Sequence, residues 1–399
     1  AGAAGRYALY RRSVKGRIFP TELSLKSVSP SRTGLLSSFR PLQRLCGKAS
    51  SGQLFAGSFF LMVLAWLPGY LAYYPGICAY DSYIQTIQAV SGNYIDHHPI
   101  AHTLLITGAM KLGSLMGSVT AGIGLYTLLQ LLFLSASFAC GIVFVKRRCF
   151  GPAGILAVQL LCMLYPFHWY MSISVTKDII FTAFFLLLLL SLTELLIEPG
   201  RRTAVGFFLS TVGMILFRNN GQYAFLVLLV FLALAAVFGT DCRRWRKLFL
   251  LAFAGFITGV LSLHILFAAT GAQQGDKREM LSMPIQQLAR TMLYHGGIGE
   301  LPEDDNTMTE EDKALINDFL QDECYREYDP HISDPVKRHT NTSVVRYRTG
   351  EFISSYLSLL TAYPGDFLNA ALALNAGFLS PADTSHAYIN VSEERKGLS

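Results

Sequence analysis

The sequence predicts an all-α, polytopic membrane helix bundle with a mainly helical subdomain outside the membrane, on three observations. Hydrophobic residues make up 52% of the 399 and charged ones only 15%, more apolar surface than a soluble globule of this length hides. The apolar residues gather into runs near crossing length, about 20 residues at a rise of roughly 1.5 Å each. Charge is segregated: residues 1–53 hold ten Lys/Arg against Glu22 alone, whereas 271–367 hold seventeen Asp/Glu against nine Lys/Arg. Basic residues accumulate on the cytoplasmic side of membrane proteins, so the two stretches are expected in different compartments, the N-terminus inside.

Residues 1–53 read as a basic cytoplasmic tail, mostly irregular, with YALYRR (7–12) as a short interfacial helix. Its cluster Arg6, Arg11, Arg12, Lys15 and Arg17 suits anionic lipid headgroups. No nucleic-acid-binding pattern accompanies it, so no nucleic-acid partner is expected. No cleavable signal peptide is visible, and Leu54–Tyr74 is expected to act as signal anchor and first crossing. Six more crossings are expected at Val119–Val145, Pro152–Ser172, Ile179–Ile197, Thr203–Phe217, Gln222–Gly239 and Leu248–Ala269. This count keeps Lys146–Arg148, Arg201/Arg202 and Arg243–Lys247 on the tail's side, provided that Ile100–Gly117 lies at the interface without crossing. The membrane module is then 54–269, with a first outer loop at 75–118. Residues 270–399 form the extracytoplasmic subdomain, with a helix expected over Thr309–Tyr328 and two more over Phe352–Tyr363 and Phe367–Phe378. The seven cysteines show neither CxxC nor zinc-type spacing; only Cys78 and Cys324 are expected outside, where one disulfide is chemically allowed.

Chemistry concentrates where ionisable groups interrupt the apolar pattern at the outer boundary, since such groups are costly there. Asp81 follows the first crossing, and Asp96, His97, His98 and His102 follow it. A capping role for Asp81 and a helix start at Pro99 account for one carboxylate and one proline, and leave the histidines unexplained. Lys177 and Asp178 open the fourth apolar run, and Arg218 and Asn219 close the fifth. Lysine offers phosphate a compact charge and arginine a two-pronged fork; a neighbouring carboxylate can take a proton from an acceptor. The bland alternative for Lys177, Asp178 and Arg218 is snorkelling at helix ends or mutual pairing. His98 and His102 share a helix face at i, i+4, which suits hydrogen bonding to an anionic substrate or to neighbouring loops; with Asp96 or His97 they also make a candidate divalent-metal site. No other cofactor is expected. Arg290, in MPIQQLAR, is a candidate for holding substrate or for pairing with the subdomain's surplus acid.

The arrangement resembles the GT-C class of membrane glycosyltransferases, over roughly residues 54–380. The strings YYPGICAYDSYIQ, DHHPIAHT, SVTKD, FRNNG, MPIQQLAR and AYPGDFLNAAL also look like an uncharacterised family of bacterial multi-pass proteins in that class. The resemblance implies a polyprenyl-phosphate-linked sugar donor, a glycan, lipid or protein acceptor, and a site facing out of the bacterial cytoplasmic membrane. It makes Asp81 the catalytic carboxylate and places Lys177 and Arg218 on the lipid phosphate. The first-loop Asp-Glu pair of protein mannosyltransferases is missing, because Ser82 follows Asp81, so protein mannosylation is not implied. Many members of the class carry later crossings, so the end at Ser399 implies a chain cut short. The competing reading is a transporter or flippase of a lipid-linked or anionic solute, which also needs intramembrane charge and broken helices.

Overall fold

A computed structural model describes residues 48–78, 80–148, 151–275, 278 and 281–379. Most of the expected tail and the polar C-terminal stretch lie outside the described residues. The described residues are all-α apart from one two-stranded pairing, and the chain divides into two compact units. One comprises the chain up to Tyr83 and Gly108–Leu261; the other comprises Ile84–Thr107 and the chain from Ser262 onward. The expected boundary near residue 270 is therefore incomplete, because most of the first loop clusters with the C-terminal unit. The cause is local pairing: Asp96 N–H donates to the Gln273 carbonyl at 3.0 Å and Gln273 N–H to the Tyr94 carbonyl at 2.9 Å.

In the first unit, helix α1 (Ser51–Ala72) begins in a capping box between Ser50 and Gln53, three residues before the expected crossing. Its buried Trp66 donates to the Met163 carbonyl at 3.0 Å, and Tyr70 donates to the Gly124 carbonyl at 3.0 Å. Strand β1 (Ile77–Cys78) leads into α2 (Tyr80–Ser91), followed by α3 (Ile100–Leu115) and α4 (Val119–Arg148). The C-terminal turn of α3 meets the start of α4 at backbone distance: a Cβ on Gly122 would lie 2.2 Å from the Ala109 carbonyl oxygen, so only glycine fits.

The expected third crossing is broken into α5 (Pro152–Leu164) and α6 (Pro166–Ile173), bent by 49°. Pro166 has no N–H to continue the ladder, and Tyr165 before it adopts an extended ψ of 116°. Strand β2 (Ser174–Val175) then pairs in parallel with β1, Ile77 opposite Ser174 and Cys78 opposite Val175. Helices α7 (Lys177–Ile197), α8 (Arg201–Phe217), α9 (Gly221–Phe238) and α10 (Cys242–Thr270) complete the run.

Among the described residues five helices (α1, α4, α7, α9 and α10) are long and apolar enough to cross a membrane, six if the bent α5–α6 pair is one span. They leave large apolar side chains such as Phe60, Val230, Phe231 and Leu250 exposed, as a lipid-facing surface requires. The count differs from the expected seven because α8 has 17 residues, about 25 Å of helix against a hydrocarbon core of about 30 Å. It nevertheless runs back along α7: the Phe184 and Phe217 rings stack at 5.7 Å, and Arg218 beyond its end pairs with Asp178 at the start of α7.

Ion pairs also sort the charges of this unit into two ends. At one, Lys146 donates to the Ala49 carbonyl, Arg148 pairs with Glu194 and Glu198, and Arg244 reaches the Leu195 carbonyl at 3.1 Å. At the other lie Asp81, Lys177, Asp178 and Arg218.

The second unit is built around α11 (Ser282–His295), whose buried Ile285, Leu288 and Met292 meet Phe319, Phe352 and Phe367. Helix α12 (Glu310–Phe319) is capped by Thr309, which accepts the Asp312 N–H at 3.2 Å. The expected helix to Tyr328 stops early and gives way to a 3₁₀ turn (Gln321–Glu327), because Asp322 and Glu323 take left-handed φ angles of 55° and 53°. Short helices α13 (Asp334–Lys337) and α14 (Thr342–Tyr347) follow, then α15 (Thr349–Ala362) and α16 (Pro364–Leu374), divided where Pro364 predicts, and α17 (Ala376–Leu379).

Candidate functional site

The β1–β2 pairing builds the site. It sets the residues before Asp81 beside those before Lys177, across 96 positions of sequence, and the Lys177 ammonium donates to the Asp81 carboxylate. Gly76, just before β1, has φ +133°, and a Cβ there would lie 2.6 Å from Thr127 Oγ1. Strand β2 is held from beneath by Gln130 of α4, whose amide nitrogen donates to the Ser174 carbonyl at 2.7 Å and the Ser172 carbonyl at 3.1 Å. Tyr126, one turn earlier, donates its hydroxyl to Gln130 Oε1 at 2.7 Å and so fixes the amide's orientation. Buried polar groups in an apolar bundle need such full pairing.

A second pair lies one residue on. Thr176 caps α7 by accepting the Asp178 N–H at 3.4 Å, and Arg218 donates to the Asp178 carboxylate with its guanidinium 5.2 Å from the Phe181 ring centroid. The turn Arg218–Gly221 closes with the Gly221 N–H on the Arg218 carbonyl at 2.9 Å and carries Asn219. Four of the expected residues thus meet as two acid–base pairs in one unit. Asp81, Asp178 and Arg218 keep 41%, 39% and 41% of their side-chain surface exposed, and Lys177 16%. Pairs this open contribute about 0–1 kcal/mol each, so an anionic ligand can exchange for a carboxylate at small cost.

The histidines belong to the second unit and do different work. Thr103 donates its hydroxyl to the Pro99 carbonyl at 3.4 Å and accepts from the Gln85 amide at 2.8 Å; Gln85 Oε1 therefore faces His102 Nδ1 at 2.9 Å, and that nitrogen carries the proton. His102 is fully buried and His98 is 4% exposed, its ring set edge-to-face on His97 at 4.6 Å. The Asp96 carboxylate accepts the Gly275 N–H, on the strand-like bridge that holds the loop. Among the described residues no three His, Cys, Asp or Glu stand close enough to hold a metal ion; the candidate set Asp96, His98 and His102 does not assemble, and its side chains are engaged separately, Asp96 with the Gly275 N–H, His98 against the His97 ring and His102 with Gln85. Cys78 and Cys324 are both free thiols.

Arg290 takes the pairing role. Its Nε donates to Asp366 at 2.9 Å and its guanidinium lies over the Tyr294 ring at 4.3 Å. Asp366 also faces His295 Nε2 at 2.9 Å, while His295 Nδ1 faces Asp305 at 2.9 Å. Burial works against a charged His295, but the two carboxylates outweigh it and hold its pKa above the usual histidine value.

Sequence reading missed Gln130 and Tyr126, whose signal was a polar pair at i, i+4 inside an apolar run. It also missed Gln85, part of a polar stripe with Gln88 in YIQTIQAV, where Gln88 Oε1 accepts the Ile95 N–H at 3.1 Å.

No curated protein and no solved structure matches the chain. Residues 59–394 match the family described as "Family of unknown function (DUF6020)". That span takes in the acid–base pairs described above in both units, from Asp81 to Asp366, and the chain belongs to this family.

Proposed function

We propose that the protein is a membrane glycosyltransferase that moves a sugar from a polyprenyl-phosphate donor to a glycan, lipid or protein acceptor on the outer face of a bacterial cytoplasmic membrane. The observation that carries this reading is the pairing of Asp81 with Lys177 and of Asp178 with Arg218 at the end of the bundle away from its basic clusters. In the reaction, an acceptor hydroxyl attacks the anomeric carbon, its proton passes to the Asp81 carboxylate, and the bond to the phosphate oxygen breaks. The leaving phosphate gathers negative charge that Lys177 and Arg218 compensate. A carrier for lipid-linked solutes is less well supported: α1 and α9 contain no Asp, Glu, Lys or Arg, and those of α4 and α7 lie at the helix ends, whereas carriers place charge near the midplane.

Donor binding tests this reading. With purified protein in lipid nanodiscs and a short-chain polyprenyl-phosphate sugar, Arg218→Ala and Lys177→Ala are each expected to weaken binding roughly ten- to hundredfold, the worth of one charge-assisted hydrogen bond. Arg218→Lys keeps the charge but loses the fork and falls between. Donor affinity unchanged in both alanine variants removes these residues from the site. Sidedness is tested separately. Tyr83, 62% exposed, is a better probe position than Ser82, which is fully buried. Tyr83→Cys is expected to react with an impermeant thiol reagent from outside the cell and Arg202→Cys to stay unlabelled; the reverse pattern inverts the orientation.

A further inference from the structure

The second unit contains a cleft of about 500 Å³ that none of the residues above explains. It lies between the end of α11, the Gly296–Ile298 turn, α12 and the 3₁₀ turn. Its polar wall is Glu310, Lys313, Asn317, Glu323 and Arg326, and its apolar side is Met292 and Ile298. The volume is that of a small-molecule site.

Two properties of the wall narrow the ligand. Each cation of the wall is already paired: Lys313 Nζ donates to Glu310 at 2.8 Å, Arg326 Nε donates to Glu323 at 2.7 Å, and Arg326 also pairs with Glu300. A phosphate or a nucleic-acid backbone meets cations already held by carboxylates, and among the described residues no three His, Cys, Asp or Glu gather to hold a metal ion. The groups left facing the space are planar carboxylate, amide and guanidinium, which engage adjacent hydroxyls two at a time, beside a thioether and a branched alkyl that suit C–H faces. That combination fits a neutral polyhydroxylated ligand.

The wall is also held in a costly conformation. Among the described residues, the non-glycine residues with positive φ are Asn306, Asp322 and Glu323, and two of them grip the cleft's cations: Asn306 Oδ1 accepts from Lys313 at 2.7 Å and Glu323 from Arg326. The Asp304 carboxylate pins the rim by accepting the N–H groups of Gly297 and Gly299, each at 2.8 Å. Left-handed non-glycine residues are disfavoured and collect where a fixed geometry is used. We infer that this cleft is a binding site for a neutral saccharide. That the saccharide is the acceptor glycan rests on the transferase reading; the binding does not.

The test uses the full chain in nanodiscs and saturation-transfer NMR with neutral oligosaccharides of hexose and N-acetylhexosamine, against oligogalacturonate as the anionic control. At least one neutral oligosaccharide is expected to bind, and Asn317→Ala and Arg326→Ala to weaken it about tenfold. Circular dichroism confirms that each variant is folded, and Glu323→Gln, which keeps the size and the planar end group but removes one of the two carboxylate charges that face Arg326, is expected to weaken binding less than Arg326→Ala. Folded wild type that binds no neutral member of the panel, that prefers oligogalacturonate, or whose binding is the same in all variants overturns the assignment. The two readings fail separately. A chain that binds saccharide here yet transfers no sugar keeps the cleft and loses the transferase, whereas active transfer with KM for acceptor unchanged in Asn317→Ala and Arg326→Ala, and no saccharide binding at the cleft, does the opposite.

Discussion

Asp81→Asn is expected to leave a folded, membrane-inserted protein that binds the lipid donor and transfers sugar roughly 10²-fold more slowly or worse, the usual contribution of a positioned general base. Asparagine matches aspartate in size and serves in the first turn of α2 almost as well, so a purely structural Asp81 predicts near-normal behaviour. The ion pair with Lys177 contributes little stability, because the carboxylate keeps 41% of its surface exposed. Pairing does raise a rival explanation, that Asp81 merely neutralises Lys177. The double variant Asp81→Asn with Lys177→Gln exposes that rival by one outcome: recovery of transfer above the Asp81→Asn level identifies a neutralising role, because a base predicts none and the loss of Lys177 from the phosphate by itself only lowers transfer. Full activity in Asp81→Asn alone ends the assignment and makes Asp178 the next carboxylate to test.

Helices were legible where hydropathy alone decides them, as in α1, α4, α7, α9 and α10, and so was the gathering of Lys146, Arg148 and Arg244 at one end, since apolar length and basic flanks are properties of sequence. The pairing of Asp81 with Lys177 was not. It depends on two residues of parallel strand and on Gln130 gripping a carbonyl from a third segment, and neither leaves a periodic trace. The same holds for Ile84–Thr107, whose membership of the second unit turns on backbone hydrogen bonds to Gln273 that any side chain would permit. The break of the 309–328 helix was hidden for a different reason: Asp322 and Glu323 take the left-handed region although neither is a glycine or a proline that would mark a break in the sequence. His295 went unread because its meaning lies in two partners 10 and 71 positions away.

Asp366 is the point at which the second unit is expected to be most sensitive to substitution. Its two oxygens face Arg290 Nε and His295 Nε2, each at 2.9 Å, and the Arg290, His295 and Asp366 side chains are only about one-sixth exposed. Asp366→Asn leaves both cations without that charge, and the asparagine amide turns a donor toward one of them. Removing one member of a buried ion pair costs about 3–5 kcal/mol; the residual exposure puts the expectation near the lower end, about 3 kcal/mol. The effect carries a pH signature. Both His295 nitrogens face carboxylate oxygens, so the folded state favours the imidazolium, and its pKa is raised above the value of about 6.5 for the unfolded chain. The stabilisation is therefore fully present below about pH 6.5 and is lost as pH rises through the folded-state value. Hydrogen exchange reads this locally, in peptides covering Ser282–His295 and Pro364–Leu374. Wild type is expected to lose protection there on going from pH 6 to pH 9, after correction for intrinsic exchange. Asp366→Asn is expected to lose protection at every pH, and His295→Gln to flatten the slope. Protection that survives Asp366→Asn unchanged would mean that Arg290 and His295 find their counter-charge elsewhere, and would return Arg290 to the residues available for holding substrate.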